Sequence, residues 1–171
     1  MFQPNPSLEA EVYTYLLTWT TYGTWLPGDE RGWVKPGKGW QLPDPIIHQQ
    51  AESSMTETAC RLDGNQRSLV EHTIARHCEI RGWVLHVVNC RSNHVHAVVS
   101  STQPPEIMRN QFKAWCTRIL KEQQQANNPQ QPVRQKWWTE GGSQRIIDDE
   151  EGLLRAIEYV RNAQDRKGRD L

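Results

Sequence analysis

The sequence predicts an α+β protein: an antiparallel sheet with helices on one face and an extra C-terminal helix. Three observations carry this expectation. Residues 12–21 and 83–100 are rich in β-branched and aromatic side chains, the second stretch broken by a short polar turn. Met108, Phe112, Trp115, Cys116 and Ile119 recur at helical spacing. Acidic Asp149, Glu150 and Glu151 then open a third region whose apolar residues again follow the helical period.

In chain order, residues 12–21 (VYTYLLTWTT) read as the first strand. Residues 22–64 are dense in Gly, Pro and Trp and show no clear period, so they are expected to form a long loop insertion of functional or mobile character. Residues 65–80 place Leu69, Thr73, Ala75 and Ile80 among polar neighbours, a helix. Gly82 opens a strand over 83–89, Cys90-Arg91-Ser92-Asn93 turns, and 94–100 (HVHAVVS) returns as the second arm of a hairpin. Pro104-Pro105 starts a helix at Glu106, where a proline costs the helix no hydrogen bond. That helix fades into Gln123-Gln124-Gln125 and a polar linker at 126–132. Residues 136–139 and 143–147 are short strands around the turn Glu140-Gly141-Gly142. Asp148 is the expected N-cap of a last helix over 149–165. The order βαββαβ is the ferredoxin-like pattern, which leaves one sheet face open for a site that the last helix partly covers.

The whole-chain numbers narrow the functional classes. At 171 residues the chain is expected to be one domain, 1–171. No apolar run is long enough for a membrane span, and the N-terminus lacks the basic-then-apolar pattern of a signal peptide, so a cytoplasmic protein is expected. Cys60, Cys78, Cys90 and Cys116 are widely separated, which argues against a zinc ribbon or a disulfide framework. Twenty basic residues balance twenty acidic ones. A duplex-coating protein carries a positive excess, so this balance points instead to a local patch gripping a short nucleic-acid segment. Eight tryptophans serve the core or stack unpaired bases, with Trp25 and Trp33 in the long loop as candidates.

His94-Val95-His96 lies in the second arm of the hairpin. Alternation puts both imidazoles on one face and Val95 in the core. Two imidazoles on a rigid strand suit a shared cation, although the spacing also suits a hydrogen-bonded surface pair. On the last helix, Leu153, Ile157 and Val160 define a buried stripe, with Tyr159 on a shoulder beside Ala156 and Ala163. A phenolate there is a sensible nucleophile towards a backbone phosphate, since a phosphotyrosine ester conserves the bond energy for rejoining. Tyr13, Tyr15 and Tyr22 are rivals, the first two in a strand that reads as structural.

These residues together resemble a known family. Asn93-His94-Val95-His96-Ala97-Val98-Val99 is similar to the HUH motif (two histidines around a bulky apolar residue), followed by a helix carrying one tyrosine. Residues 15–29 (YLLTWTTYGTWLPGD) and 137–143 (WWTEGGS) also resemble segments of the single-tyrosine HUH transposases, including the REP-associated tyrosine transposases of bacteria. The resemblance covers most of 13–165. It implies a ferredoxin-like fold, often a homodimer, that cuts and rejoins single-stranded DNA near hairpins. Tyr159 would be the nucleophile, leaving a 5′-phosphotyrosine and a free 3′-hydroxyl. His94 and His96 would bind Mg²⁺ or Mn²⁺, with a polar side chain about four residues beyond the tyrosine completing the shell.

Position 163 is alanine, which departs from that pattern. In an ideal helix Asn162 lies about 60° from Tyr159 and Gln164 about 140° away, so a bulge or a frayed last turn is needed to bring Gln164 round. Gln164 is the expected third ligand, with Asn162 as the alternative. Arg91, Lys136, Arg161, Arg166 and Lys167 are the candidate phosphate contacts; the basic tail also suits the negative end of a helix. Two other functions remain compatible with the residues: a non-cleaving binder of structured DNA or RNA, and a metal-dependent hydrolase of small phosphoesters.

Overall fold

The computed structural model describes residues 10–163. Among them the chain is α+β, with a four-stranded antiparallel sheet and four α-helices. The elements are β1 (Tyr13–Thr20), β2 (Trp33–Lys35), β3 (Gly39–Gln41), α1 (Pro45–Ser53), α2 (Gly64–Arg81), β4 (Val84–Cys90), β5 (His94–Ser101), α3 (Pro105–Asn127), β6 (Ser143–Ile147) and α4 (Glu150–Glu158). A π-helical turn, Tyr159–Ala163, follows α4. The sheet order is β4-β5-β1-β6, and β2 and β3 form a separate hairpin. No described helix is long and apolar enough to cross a membrane.

Strand alternation sorts the core onto two faces. Leu17, Trp19, Val95, Ala97 and Val99 pack against α2 through Val70, Ile74 and Cys78, and against α3 through Met108, Phe112, Cys116 and Leu120. On the opposite face Leu16, Val87 and Val98 meet Ala156 of α4 and Val160 of the π turn. A bulge between Leu85 and Val87 shifts the register of β4 and lets Val87 join this second cluster. The pairing of β1 with β5 runs from Tyr13↔Ser101 to Thr20↔His94. β6 takes the other edge of β1, from Thr14↔Ile147 to Thr18↔Ser143.

Several sequence expectations are corrected. The 22–64 segment is not a bare loop, because it contains the β2–β3 hairpin and α1. Gly37 and Gly39 supply the left-handed backbone the hairpin turn needs. Asp44 caps α1 by accepting from the backbone N–H groups of Ile46 and Ile47, with Pro45 opening the helix. Residues 136–139 make one bridge, Thr21↔Trp138, beyond the stretch of β1 that pairs with β6. The last helix is capped by Asp149, whose side chain accepts from Gly152 N–H, not by Asp148. It leaves the α-helical path at Glu158, short of the expected 165. The α3 stripe turns slightly from the one expected. Leu120 is buried in it, whereas Trp115 is exposed with the Arg118 guanidinium over its ring. The glutamine run continues α3 to Asn127, in keeping with the helix propensity of Gln.

Candidate active site

Two elements converge on the side of the sheet away from α2 and α3. β5 presents His94 and His96, whose ring centroids lie 4.9 Å apart. Val95 between them is fully buried in the other face, as alternation requires. Tyr159 opens the π turn, and its ring meets that of His96 edge-on at 5.7 Å between centroids. The half-buried tyrosine packs on the cluster of Leu16, Val87, Val98, Ala156 and Val160.

The δ-nitrogens of both histidines are engaged by polar neighbours. His94 Nδ1–H donates to Asn93 Oδ1 at 2.6 Å. This fixes the tautomer and leaves the lone pair of a neutral ring on Nε2. His96 Nδ1 lies 2.7 Å from Thr18 Oγ1, its cross-strand neighbour. On the far side of His96 in the sheet stands Asn89. Asn89 Nδ2 donates to Val160 O at 3.0 Å, taking up a carbonyl of the π turn. One cross-strand row, Thr18–His96–Asn89, therefore orients a histidine and anchors the turn that carries Tyr159.

The expected phosphate contacts are dispersed. Arg91 lies half-buried in the turn between β4 and β5, and its backbone N–H donates to His94 O at 2.8 Å. Arg161 and Asn162 are exposed on the π turn. Lys136 sits 5.3 Å above the Tyr22 ring, and its backbone N–H donates to Glu57. It thus braces the long insertion at the His94 end of the sheet. Gln164, Arg166 and Lys167 lie outside the described residues. Trp33 is buried and its indole donates to Leu42 O, and the Trp25 indole donates to Gly32 O.

Thr18 and Asn89 were not picked out from the sequence. The signal for Thr18 was present: Leu16, Thr18 and Thr20 share one face of β1, and a polar pair there marks a face that is not plain core. Asn89 gave no comparable signal, because its partner is a backbone carbonyl of a bulged turn.

A second polar assembly holds the neighbouring loop. Lys113 of α3 donates from Nζ to Thr139 O at 2.7 Å and to Gly141 O. Burial, reinforced by the Arg109 guanidinium, brings its pKa down to about 8. Thr139 in turn accepts from Thr20 Oγ1 at 3.1 Å, next to His94 in the β1–β5 register. All four cysteines are free and buried. Burial raises the Cys60 thiol to about 11 and Cys78 to about 12, and it raises Cys90 and Cys116 as well. Such thiols are poor nucleophiles and poor metal ligands. A cleft of about 690 Å³, whose lining includes neither His94 nor His96, is walled by Asp29, His48, Glu52 and Glu57 among others. Its acidic walls are unsuited to a phosphate backbone.

Among the described residues no group of three or more His, Cys, Asp or Glu side chains is arranged to hold a metal ion. Two imidazoles and one amide would not form such a group, yet they make a sound donor set for a divalent cation. The δ-nitrogen contacts of His94 and His96 suit that role, since a ligating histidine usually has its other nitrogen held by a hydrogen bond. No protein-family model matches the chain, and no curated protein sequence does.

Proposed function

We propose that the chain is a single-tyrosine HUH enzyme that cuts and rejoins single-stranded DNA beside hairpins. The observation that carries this reading is the meeting of Tyr159 with His96, beside His94, on one face of the sheet. Two further features support it. The order β6-β1-β5-β4, with the last strand beside the first, is compatible with the ferredoxin-like sheet this reading expects. The π turn begins on the tyrosine itself, and π turns concentrate at functional sites.

In this reading the Tyr159 phenol loses its proton to solvent, and its oxygen attacks a backbone phosphorus. The new bond is Oη–P and the broken one is P–O3′. The departing 3′-oxygen takes up a proton to become a free hydroxyl, and the 5′-phosphate stays on the tyrosine. Rejoining reverses these steps, with a 3′-hydroxyl attacking phosphorus and the phenol leaving. The apolar cluster beneath Tyr159 fixes its ring, and Asn93 and Thr18 fix the imidazoles. His94, His96 and Gln164 would hold Mg²⁺ or Mn²⁺, which when bound withdraws charge from a non-bridging phosphate oxygen. π hydrogen bonding joins residues five apart, and Gln164 is five residues beyond Tyr159. Gln164 itself lies outside the described residues, and Asn162, exposed on the π turn, stays the alternative third ligand.

The test is incubation with labelled hairpin-bearing single-stranded DNA and Mn²⁺, then denaturing electrophoresis. Wild-type protein should give a band of covalently linked DNA. Tyr159→Phe should give none while still retaining the hairpin in a native gel. An undiminished adduct from Tyr159→Phe removes this tyrosine from the chemistry. Hairpin binding with no adduct from wild type at any Mn²⁺ concentration leaves a binder in place of an enzyme.

A further inference from the structure

The β2–β3 hairpin carries an aromatic ring that the active-site reading leaves unused. Trp40 is 59% exposed, yet its position is set by its neighbours. A Cβ at Gly32 would fall 2.2 Å from Trp40 Cζ2, so the indole lies against backbone at a distance only glycine permits. Gly32 also has φ +83°, a second reason for glycine there. The Trp25 ring packs at 6.2 Å from Trp40, and its indole N–H is tied to Gly32 O at 2.8 Å. One side of the Trp40 ring is thereby seated and the remainder is left to solvent.

Charge at this hairpin is of one sign. Lys35 and Lys38 are exposed at its turn, and no acidic residue occurs between Trp33 and Leu42. Nearby Arg31 is bound to Asp29 through two guanidinium contacts. The hairpin is also linked to the histidine end of the sheet. Arg31 Nη2 donates to Thr24 O at 3.0 Å, Thr24 Oγ1 donates to Thr21 O at 2.9 Å, and Thr21 N–H donates to Asn93 O at 2.8 Å, one residue before His94.

We propose that Trp40 is a stacking platform for an unpaired base of single-stranded nucleic acid, with Lys35 and Lys38 neutralising the adjoining phosphates. A seated ring with an exposed face loses little freedom when a base stacks on it, and every base has a flat face to offer. The lysines supply the sequence-independent grip that a polyanion requires. The choice of nucleic acid as partner rests on the strand-cleavage reading above; the platform itself rests on the hairpin.

The test is fluorescence anisotropy with labelled oligothymidylate, which forms no hairpin, in EDTA so that no strand is cut. Trp40→Ala should weaken binding by about tenfold, and Trp40→Phe, which keeps a ring, by about threefold or less. Lys35→Gln with Lys38→Gln should flatten the logarithmic salt dependence by about 1.4, two contacts at ~0.7 each. The exposed lysine pair decides the matter if Trp40→Ala melts. Unchanged affinity in a folded Trp40→Ala protein, or an unchanged salt slope in the lysine variant, overturns the proposal. So does Trp40-dependent binding to vesicles of anionic lipid without binding to the oligonucleotide. Failure here is separable from failure of the cleavage reading: an intact covalent adduct alongside unaltered Trp40→Ala binding sinks the platform alone. Trp40-dependent binding with no adduct sinks the chemistry alone.

Discussion

At the scale of single residues, His96 shows how a neighbouring hydroxyl can decide what an imidazole does. Thr18 is its cross-strand partner, and the 2.7 Å contact to Nδ1 fixes the ring plane. Replacing Thr18 by Val keeps the shape and removes that partner. Loss of such a supporting contact typically lowers metal affinity or activity by about 10–100-fold. Thr18→Val should therefore raise the Mn²⁺ concentration giving half-maximal adduct by at least about tenfold, with hairpin binding in EDTA unchanged and Thr18→Ser close to wild type. An unaltered Mn²⁺ curve would show that Thr18 merely packs. The buried cysteines set a useful contrast, since their raised pKa values leave them as core side chains.

At the scale of elements, the site depends on a strand row, a bulged turn and a braced loop. Period-two reasoning on 94–100 was sufficient to put His94 and His96 on one face and Val95 in the core. Helical periodicity likewise set Tyr159 apart on a shoulder of the last helix. The turn at Tyr159 was not legible, because a π turn has no composition of its own. It is held by Asn89, seventy-one residues away in the chain. The structure within 22–64 is hidden in the sequence for a different reason. Its strands are three residues each, too short for alternation to register, and α1, opened by Asp44-Pro45, is only nine residues long with none buried.

The loop beside Thr20 depends on α3 through Lys113, and this makes a pH prediction. Burial holds Lys113 at about 8, whereas a lysine in an unfolded chain titrates near ~10.4. Between these values the unfolded chain binds more protons, so the lysine's contribution to stability grows as pH rises through that window. Below about pH 8 both states are protonated and the penalty of burying the charge is present in full. The stability of wild type relative to Lys113→Met should shift in favour of wild type between about pH 7 and pH 10, read from urea midpoints. A difference that stays constant over that range would contradict the assigned burial of the charge.

At the scale of the whole molecule, zero net charge and a local site belong together. The protein carries no general excess of cations, so recognition falls to a few placed groups. Tyr159 meets His96 of its own chain, so the proposed cleavage is expected to use the tyrosine and histidines of one chain. A mixture of Tyr159→Phe with the His94→Ala/His96→Ala double variant should then remain inactive. Recovery of adduct on mixing would show that the tyrosine of one copy works with the histidines of another. The α+β class and the antiparallel sheet were legible from the order of periods along the chain. The pairing of distant residues was not, since Thr18, Asn89 and Lys113 act through partners that only the folded chain brings near.

The most direct measurement locates the covalent bond. Wild-type protein is reacted with hairpin-bearing single-stranded DNA and Mn²⁺, treated with nuclease and trypsin, and analysed by mass spectrometry. Trypsin cuts after Arg155 and Arg161, releasing residues 156–161 (AIEYVR), in which Tyr159 is the one tyrosine. This peptide is expected to carry the residual nucleotide phosphate. Nucleotide on a peptide containing Tyr13, Tyr15 or Tyr22, or on none, would contradict that expectation.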